Sequence, residues 1–301
     1  MSLLTLSKAL SSTEGINLHP IDATLASQKS NSSSLGFGGS VDKFGVKEIY
    51  PTKPGGREWF INMSNPRQDP LLDITNNVSI SRQSDGSWLI NNSQIRINVI
   101  TPRGENPWKN IEMTGYIKVV SSPLAGNNSG IENNNNGEET QAIEPGLDWF
   151  ARGTRHNDAT PCLGTALHGD IKINGSAFWK KEIWHTGGYT DARDSKNVTS
   201  SILGRWIGWK VIMYNIHRNA AVKMESYLDD NSNNNWKKVS DVVDNGGWFA
   251  TSSKKKFSSA HCGRPRDYII TNSGPVATFR SDNIAWIFKD LSIREIKPPA
   301  H

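Results

Sequence analysis

The chain is a succession of short segments that alternate in polarity, each closed off by Gly, Pro, Asn or Asp. From Lys47 onward VSISR, SWLIN, QIRINVIT, NIEMTGYIKVV, DWFARGTR, TALHGDIKIN, AFWKKEIWH, WIGWKVIMYNI, VKMESYLDD, YIITN, VATFRSD and IFKDLSIREI follow one another, with hardly a helix-length period among them. Segments with a period of two hide their apolar side only by pairing into sheets and stacking them. The expected fold is therefore all-β, a sandwich or a barrel. No internal repeat is evident, which disfavours a propeller or solenoid. Residues 46–301 read as a single domain. Residues 1–45, rich in Ser, Gly and Asn, read as a poorly structured leader, and residues 121–146 as a polar loop insertion too long for a hairpin.

Composition narrows the classes. Only 36% of the 301 residues are hydrophobic, because of the Asn/Ser/Gly stretches, yet there are 11 Trp, too many for all to be core if each buried indole N–H needs a partner. The formal net charge of +5 suits an anionic partner. It is far from the clustered stripe of a nucleic-acid binder, and Lys254-Lys255-Lys256 reads as a solvated loop, so no nucleic-acid partner is expected. No apolar run approaches a membrane span, and MSLLTLSKAL lacks a basic n-region, so neither a membrane partner nor a clear signal peptide is read here. Cys162 and Cys262 stand in no zinc spacing; a long-range disulfide in an exported protein and two free thiols both fit.

Alternation also divides each strand into faces. Glu112, Thr114 and Tyr116 share one; Phe150 and Arg152 share another, as do Ala166, His168 and Asp170. Trp179, Lys181, Ile183 and His185 oppose Phe178, Lys180, Glu182 and Trp184. Lys210 and Tyr214 fall together, as do Glu225 and Tyr227, and Thr278, Arg280 and Asp282. Strand after strand thus pairs an apolar face with one bearing carboxylate, Arg, His, Lys and Tyr. An ordinary solvated face would carry mostly Lys, Glu, Thr and Ser, so the expectation is a groove in which aromatic faces stack on sugar C–H surfaces and polar groups meet hydroxyls.

The order NIEMTGYIKV, CLGTALHGDIKING, LGRWIGWKVIMYNI, VKMESYLDDN and a final strand pair resembles the concanavalin A-like jelly rolls, nearest to the alginate and glucuronan lyases. Glu112 matches the acidic position of that family's first motif, and His168-Gly169 its histidine before a glycine. Gln is absent before His168, Thr114 and Tyr116 stand where arginines flank the first motif, and VATFRSDN lacks the Tyr-x-Lys pattern. The resemblance implies a two-sheet antiparallel β-sandwich of jelly-roll form, and a carbohydrate-active, extracellular or cell-surface protein. Its first-ranked activity is a polysaccharide lyase that cleaves an acidic, uronate-containing polysaccharide by β-elimination.

Such chemistry needs a cation at the uronate carboxylate, a base for the C5 proton and an acid for the leaving oxygen. The candidates are Arg152 and Lys181 for the cation, His168 or His185 for the base, and Tyr189 for the acid. Tyr116, His156, Lys210, Tyr214, Glu225, Tyr227, Arg280 and Asp282 are expected to bind substrate. A glycoside hydrolase pairing Glu112 with Glu225 or Asp282 is the second reading, and a non-catalytic lectin module the third. No cofactor is required. Asp230-Asn231-Ser232-Asn233-Asn234 resembles the first half of a calcium loop but lacks the Gly and distal Glu, and reads equally as a turn; no other metal site is expected.

Overall fold

The computed structural model describes residues 39–74, 78–91, 94–122, 145–154 and 159–300. Residues 1–38 of the leader, 123–144 of the loop insertion, and His156 lie outside them. In chain order the strands are β1 (Glu58–Phe60), β2 (Leu72–Ile74), β3 (Ile80–Arg82), β4 (Trp88–Asn91), β5 (Gln94–Ile100), β6 (Ile111–Ser121), β7 (Gly146–Gly153) and β8 (Ala166–Lys172). They continue as β9 (Ser176–Glu182), β10 (Arg193–Asn197), β11 (Trp206–Ile216), β12 (Ala221–Asp229), β13 (Lys237–Asp244), β14 (Val276–Asp282) and β15 (Ala285–Glu295), with one short helix, α1 (Lys254–Ser259).

The strands form two antiparallel sheets. The first runs β13-β12-β11-β6-β15-β4-β3, with β1 added on β15; the second runs β10-β9-β8-β7-β14-β5-β2. Neighbours distant in sequence, such as β6 with β15 and β7 with β14, give a jelly-roll sandwich: of the two forms the alternation allows, the one the family resemblance implies. YIITN is the exception. It forms no strand, and its Tyr268 and Ile270 carbonyls instead accept hydrogen bonds from Lys181 (2.7 Å) and Arg152 (2.9 Å).

Large indoles fill the space between the sheets. Trp149 and Trp179 flank Gly169 on adjacent strands, and a methyl added at Gly169 would meet the Trp179 ring at 3.2 Å and collide with Val211 of the opposite sheet. Nine of the 11 Trp are buried, which leaves Trp206 and Trp236 half-buried. The indole N–H groups of Trp149, Trp179, Trp209 and Trp286 have no protein partner, so packing alone holds these rings.

The face of the first sheet turned away from the core is polar but no groove, because residues 42–52 run across it. Ile49 N–H donates to Glu112, Tyr50 Oη to Glu225 (2.8 Å), and Arg294 to the Tyr50 carbonyl and Thr52. Beneath this strap Glu112 bridges Lys210 (2.7 Å) and Arg294 (3.0 Å). Burial opposes the charge on Glu112, yet the two cations hold its carboxyl below the usual range.

Candidate functional site

The second sheet carries its own polar face. Asp148 on β7, His168 and Asp170 on β8, Lys180 and Glu182 on β9, and Arg280 and Asp282 on β14 all point away from the core. His168 is fully buried, its Nδ1 2.8 Å from Asp148 and its Nε2 3.4 Å from Glu182. Burial opposes a charge on this imidazole, but the two carboxylates prevail and its pKa is raised. Asp148 also faces Lys180 (3.2 Å) and Arg280 (3.8 Å). Burial would raise its pKa, while His168, Lys180 and Arg280 push it well below the carboxylate range. The two carboxylates favour its charged form and engage both ring nitrogens, and the ring is shut off from solvent, so the expectation that His168 serves as a base on a substrate is corrected on that ground.

Glu182 links this buried network to an open pocket. His185 Nδ1 stands 3.3 Å from Glu182 Oε1, Tyr189 donates to Glu182, and the Tyr189 ring lies 6.3 Å from that of His168. His185, Thr186, Gly187, Tyr189, Thr251, Ser252 and Lys256 line a pocket of about 440 Å³. Burial, then the charge of Glu182, raises the pKa of Tyr189, which keeps its proton through the neutral range.

Local sequence builds this pocket. After β9 the HTGGY turn folds back through Gly187, whose φ of 93° suits a residue without Cβ, and the Ile183 N–H donates to the Gly188 carbonyl (2.8 Å). The Thr251 N–H then donates to the Tyr189 carbonyl (2.8 Å), and Ser252 Oγ to Gly187. The far wall is α1, capped by Ser253 Oγ, which accepts from the Lys256 N–H (3.1 Å), and anchored by Phe257 against Trp184 at 3.9 Å between ring centroids. Just beyond α1, Cys262 forms a disulfide with Cys162. Next to Cys162, the Leu163 carbonyl accepts from the His185 N–H (2.8 Å).

The structure therefore divides the candidate residues among three places, and the expectation of a single groove is corrected. His185 and Tyr189 share the pocket, with His168, Arg280 and Asp282 on the same sheet face behind it. Glu112, Tyr116, Lys210, Tyr214, Glu225 and Tyr227 lie on the other sheet. Glu112 is thus separated by the whole sandwich from Asp282, and its oxygens are held by Lys210 and Arg294.

Arg152 and Lys181 face neither site. Across from β14, Ala151 and Arg152 oppose Ala277 alone; this bulge puts Arg152 at φ 70° and swings its side chain between the sheets. There it donates to the Lys109 (3.0 Å) and Ile270 carbonyls and to Asn215 on β11. Lys181 lies opposite Leu167, on the core side, and is ion-paired with Asp244 of β13 at 2.8 Å. Burial lowers its pKa against the pull of Asp244. Sequence reasoning missed Thr251, Ser252 and Lys256. For Lys256 the signal was the basic run read as solvated.

Among the described residues no group of three His, Cys, Asp or Glu side chains could hold a metal ion. In the Asx-rich turn, Asp229 accepts from the Asn233 and Asn234 N–H groups, and Asp230 pairs with Arg205 at 2.8 Å.

No family model matches this sequence, and no curated protein matches it. Solved structures do resemble its fold. A Bacillus subtilis protein of unknown function with a galectin-like fold is 10% identical, with a TM-score of 0.43, covering 83% of this chain and 100% of that one. The carbohydrate recognition domain of Emp47p is 10% identical, with a TM-score of 0.42 and coverages of 86% and 100%. Winged bean acidic lectin, solved with methyl-α-D-galactose, is 8% identical, with a TM-score of 0.42 and coverages of 81% and 100%. At these values the likenesses bear on no residue of this chain.

Proposed function

We propose that this protein is a carbohydrate-binding module of the jelly-roll class that holds an anionic polysaccharide at the His185–Tyr189–Lys256 pocket. The observation that carries this is the lining: an imidazole, a phenol, two side-chain hydroxyls from Thr251 and Ser252, and one ammonium, brought together by loops and α1 beside an ion-paired sheet. Hydroxyls of a sugar need such donors and acceptors already in place, and Lys256 supplies attraction for a uronate carboxylate. Lys254 and Lys255, exposed on the same helix, extend the positive field. The disulfide suits an exported protein, so an extracellular setting is part of the proposal. Among the described residues no helix is long and apolar enough to cross a membrane.

A second reading, β-elimination, keeps one observation in its favour: His185 and Tyr189 face one pocket and both lean on Glu182. His185 would take the C5 proton and the protonated Tyr189 would supply the leaving oxygen. Against it, Arg152 and Lys181 are spent on other contacts, and Lys256 alone is left to neutralise the carboxylate.

The test is a screen of the purified protein on alginate, glucuronan, pectate, hyaluronan and neutral glucans, following near-ultraviolet absorbance, reducing ends and retention together. Retention on a uronate polymer without product is the expected result. Absorbance rising with reducing ends would establish the lyase. Retention on neutral glucans alone would overturn the anionic assignment.

A further inference from the structure

Four large hydrophobic residues stay exposed among those described, and Phe249, at 56%, is the aromatic one. It stands between Trp248 and Ala250, which are 3% and 1% exposed. Folding does not require an aromatic ring there, since a polar side chain would leave both neighbours buried. Leaving about half of this side chain in water forgoes the burial that would otherwise stabilise it.

Its position is informative. Along the segment 248–251 burial alternates, so Phe249 and Thr251 project to the same side, about 7 Å apart at extended-chain rise. Thr251 and Ser252 line the His185–Tyr189 pocket. The segment also pairs with residues 265–267. Ala250 N–H donates to the Arg266 carbonyl (2.7 Å), and Gly247 N–H to Asp267 Oδ2 (3.4 Å). Pro265 and Asp267, with Asn219, Tyr268 and Thr271, line a second cavity of about 350 Å³. A ribbon about 17 Å long from Ser252 to Gly247 therefore joins two cavities of mixed polar and apolar lining, with an uncovered phenyl ring along it.

Resting on the reading of the first pocket as an anionic-glycan site, we infer that Phe249 is a stacking subsite for a linear glycan several units long, running from the His185–Tyr189 pocket toward the cavity at Asp267 and Tyr268. The phenyl face would take the apolar side of an interior ring, while the first pocket fixes one end of the chain. Asp267 and Asn219 in the second cavity fit sugar hydroxyls rather than a carboxylate, so the charge is read at the Lys256 end.

The experiment is calorimetric titration of the intact protein with oligoguluronates and oligogalacturonates of one to six units, for wild type, F249A, F249W and K256A. Affinity should rise with chain length in wild type. F249A should lose about five- to tenfold for the longest oligomers, the equivalent of half a buried Phe side chain, while the shortest ligands bind unchanged. F249W should restore the long-chain affinity, and unchanged melting temperatures would show that an exposed position has been altered without unfolding. If short and long oligomers bind alike, K256A weakens both and F249A weakens neither, the pocket stands and this inference falls. If no oligomer binds at any length, both fall together.

Discussion

Removing the imidazole from the buried network tests the charge reading directly. In His168→Ala, Asp148 loses its 2.8 Å partner but keeps Lys180 at 3.2 Å and Arg280 at 3.8 Å, while Glu182 keeps His185 at 3.3 Å. Breaking a buried pair by deleting one partner costs about 3–5 kcal/mol. With two cations left on Asp148 the lower end applies, about 3 kcal/mol, or roughly 6–12 °C in melting temperature for a domain of this size. The pH dependence carries the sharper signature. His168 has a folded pKa raised above its unfolded value near 6.5, so its stabilisation is complete below about pH 6.5 and is lost as pH rises through the folded value. Asp148 behaves oppositely: with its folded pKa depressed, its contribution is present above about pH 4 and is lost only as the medium is acidified further. Urea unfolding followed by Trp fluorescence at pH 5.5, 7 and 8.5 should show the gap between wild type and His168→Ala narrowing as pH rises. A loss under about 1 kcal/mol, or a gap that does not change with pH, would refute the picture of an imidazolium held by two carboxylates.

Three other outcomes follow from the same structure. Reducing the Cys162–Cys262 bond, whose ends are 100 residues apart, should destabilise the fold by up to about 4–5 kcal/mol in a melt with and without reductant, and should weaken glycan retention because the bond sits beside α1 and Leu163. Lys256→Ala should lower affinity for a uronate oligomer about three- to fivefold at low salt, with the difference shrinking as ionic strength rises; equal binding to wild type at low salt would remove Lys256 from the site. Gly169→Ala should cost about 1–3 kcal/mol in urea unfolding, because the added methyl enters space shared by Trp179 and Val211.

The period-two pattern made the architecture legible because a regular ladder obliges alternate side chains to opposite faces. His168 and Asp170, Glu112 and Tyr116, and Arg280 and Asp282 each fall on one face as the alternation requires. Alternation gives a face, however, and not a neighbour, so strands of two different sheets were gathered into one groove. Arg152 escaped because a bulge adds one residue and turns the count over, and nothing in WFARG announces it. Lys181 fell on the side of Trp179 and Ile183, which is the core side; its chemistry drew attention that its parity did not support. The polar edge strand RDSKN, β10, has no apolar partner face and gives no alternation to read. Lys256 was hidden by its company, since three lysines in a row look solvated until Phe257 is seen anchoring their helix against Trp184.

The Cys162–Cys262 bond closes a covalent ring that contains β8, β9 and β10 of one sheet and β11, β12 and β13 of the other. A protease that cuts inside the ring, for instance after one of the exposed lysines of α1, severs the backbone without releasing either piece. The nicked molecule would run as one band without reductant and as two with it. Because β14 still pairs with β7 and β15 with β6 across the cut, the sandwich would persist as a two-chain protein.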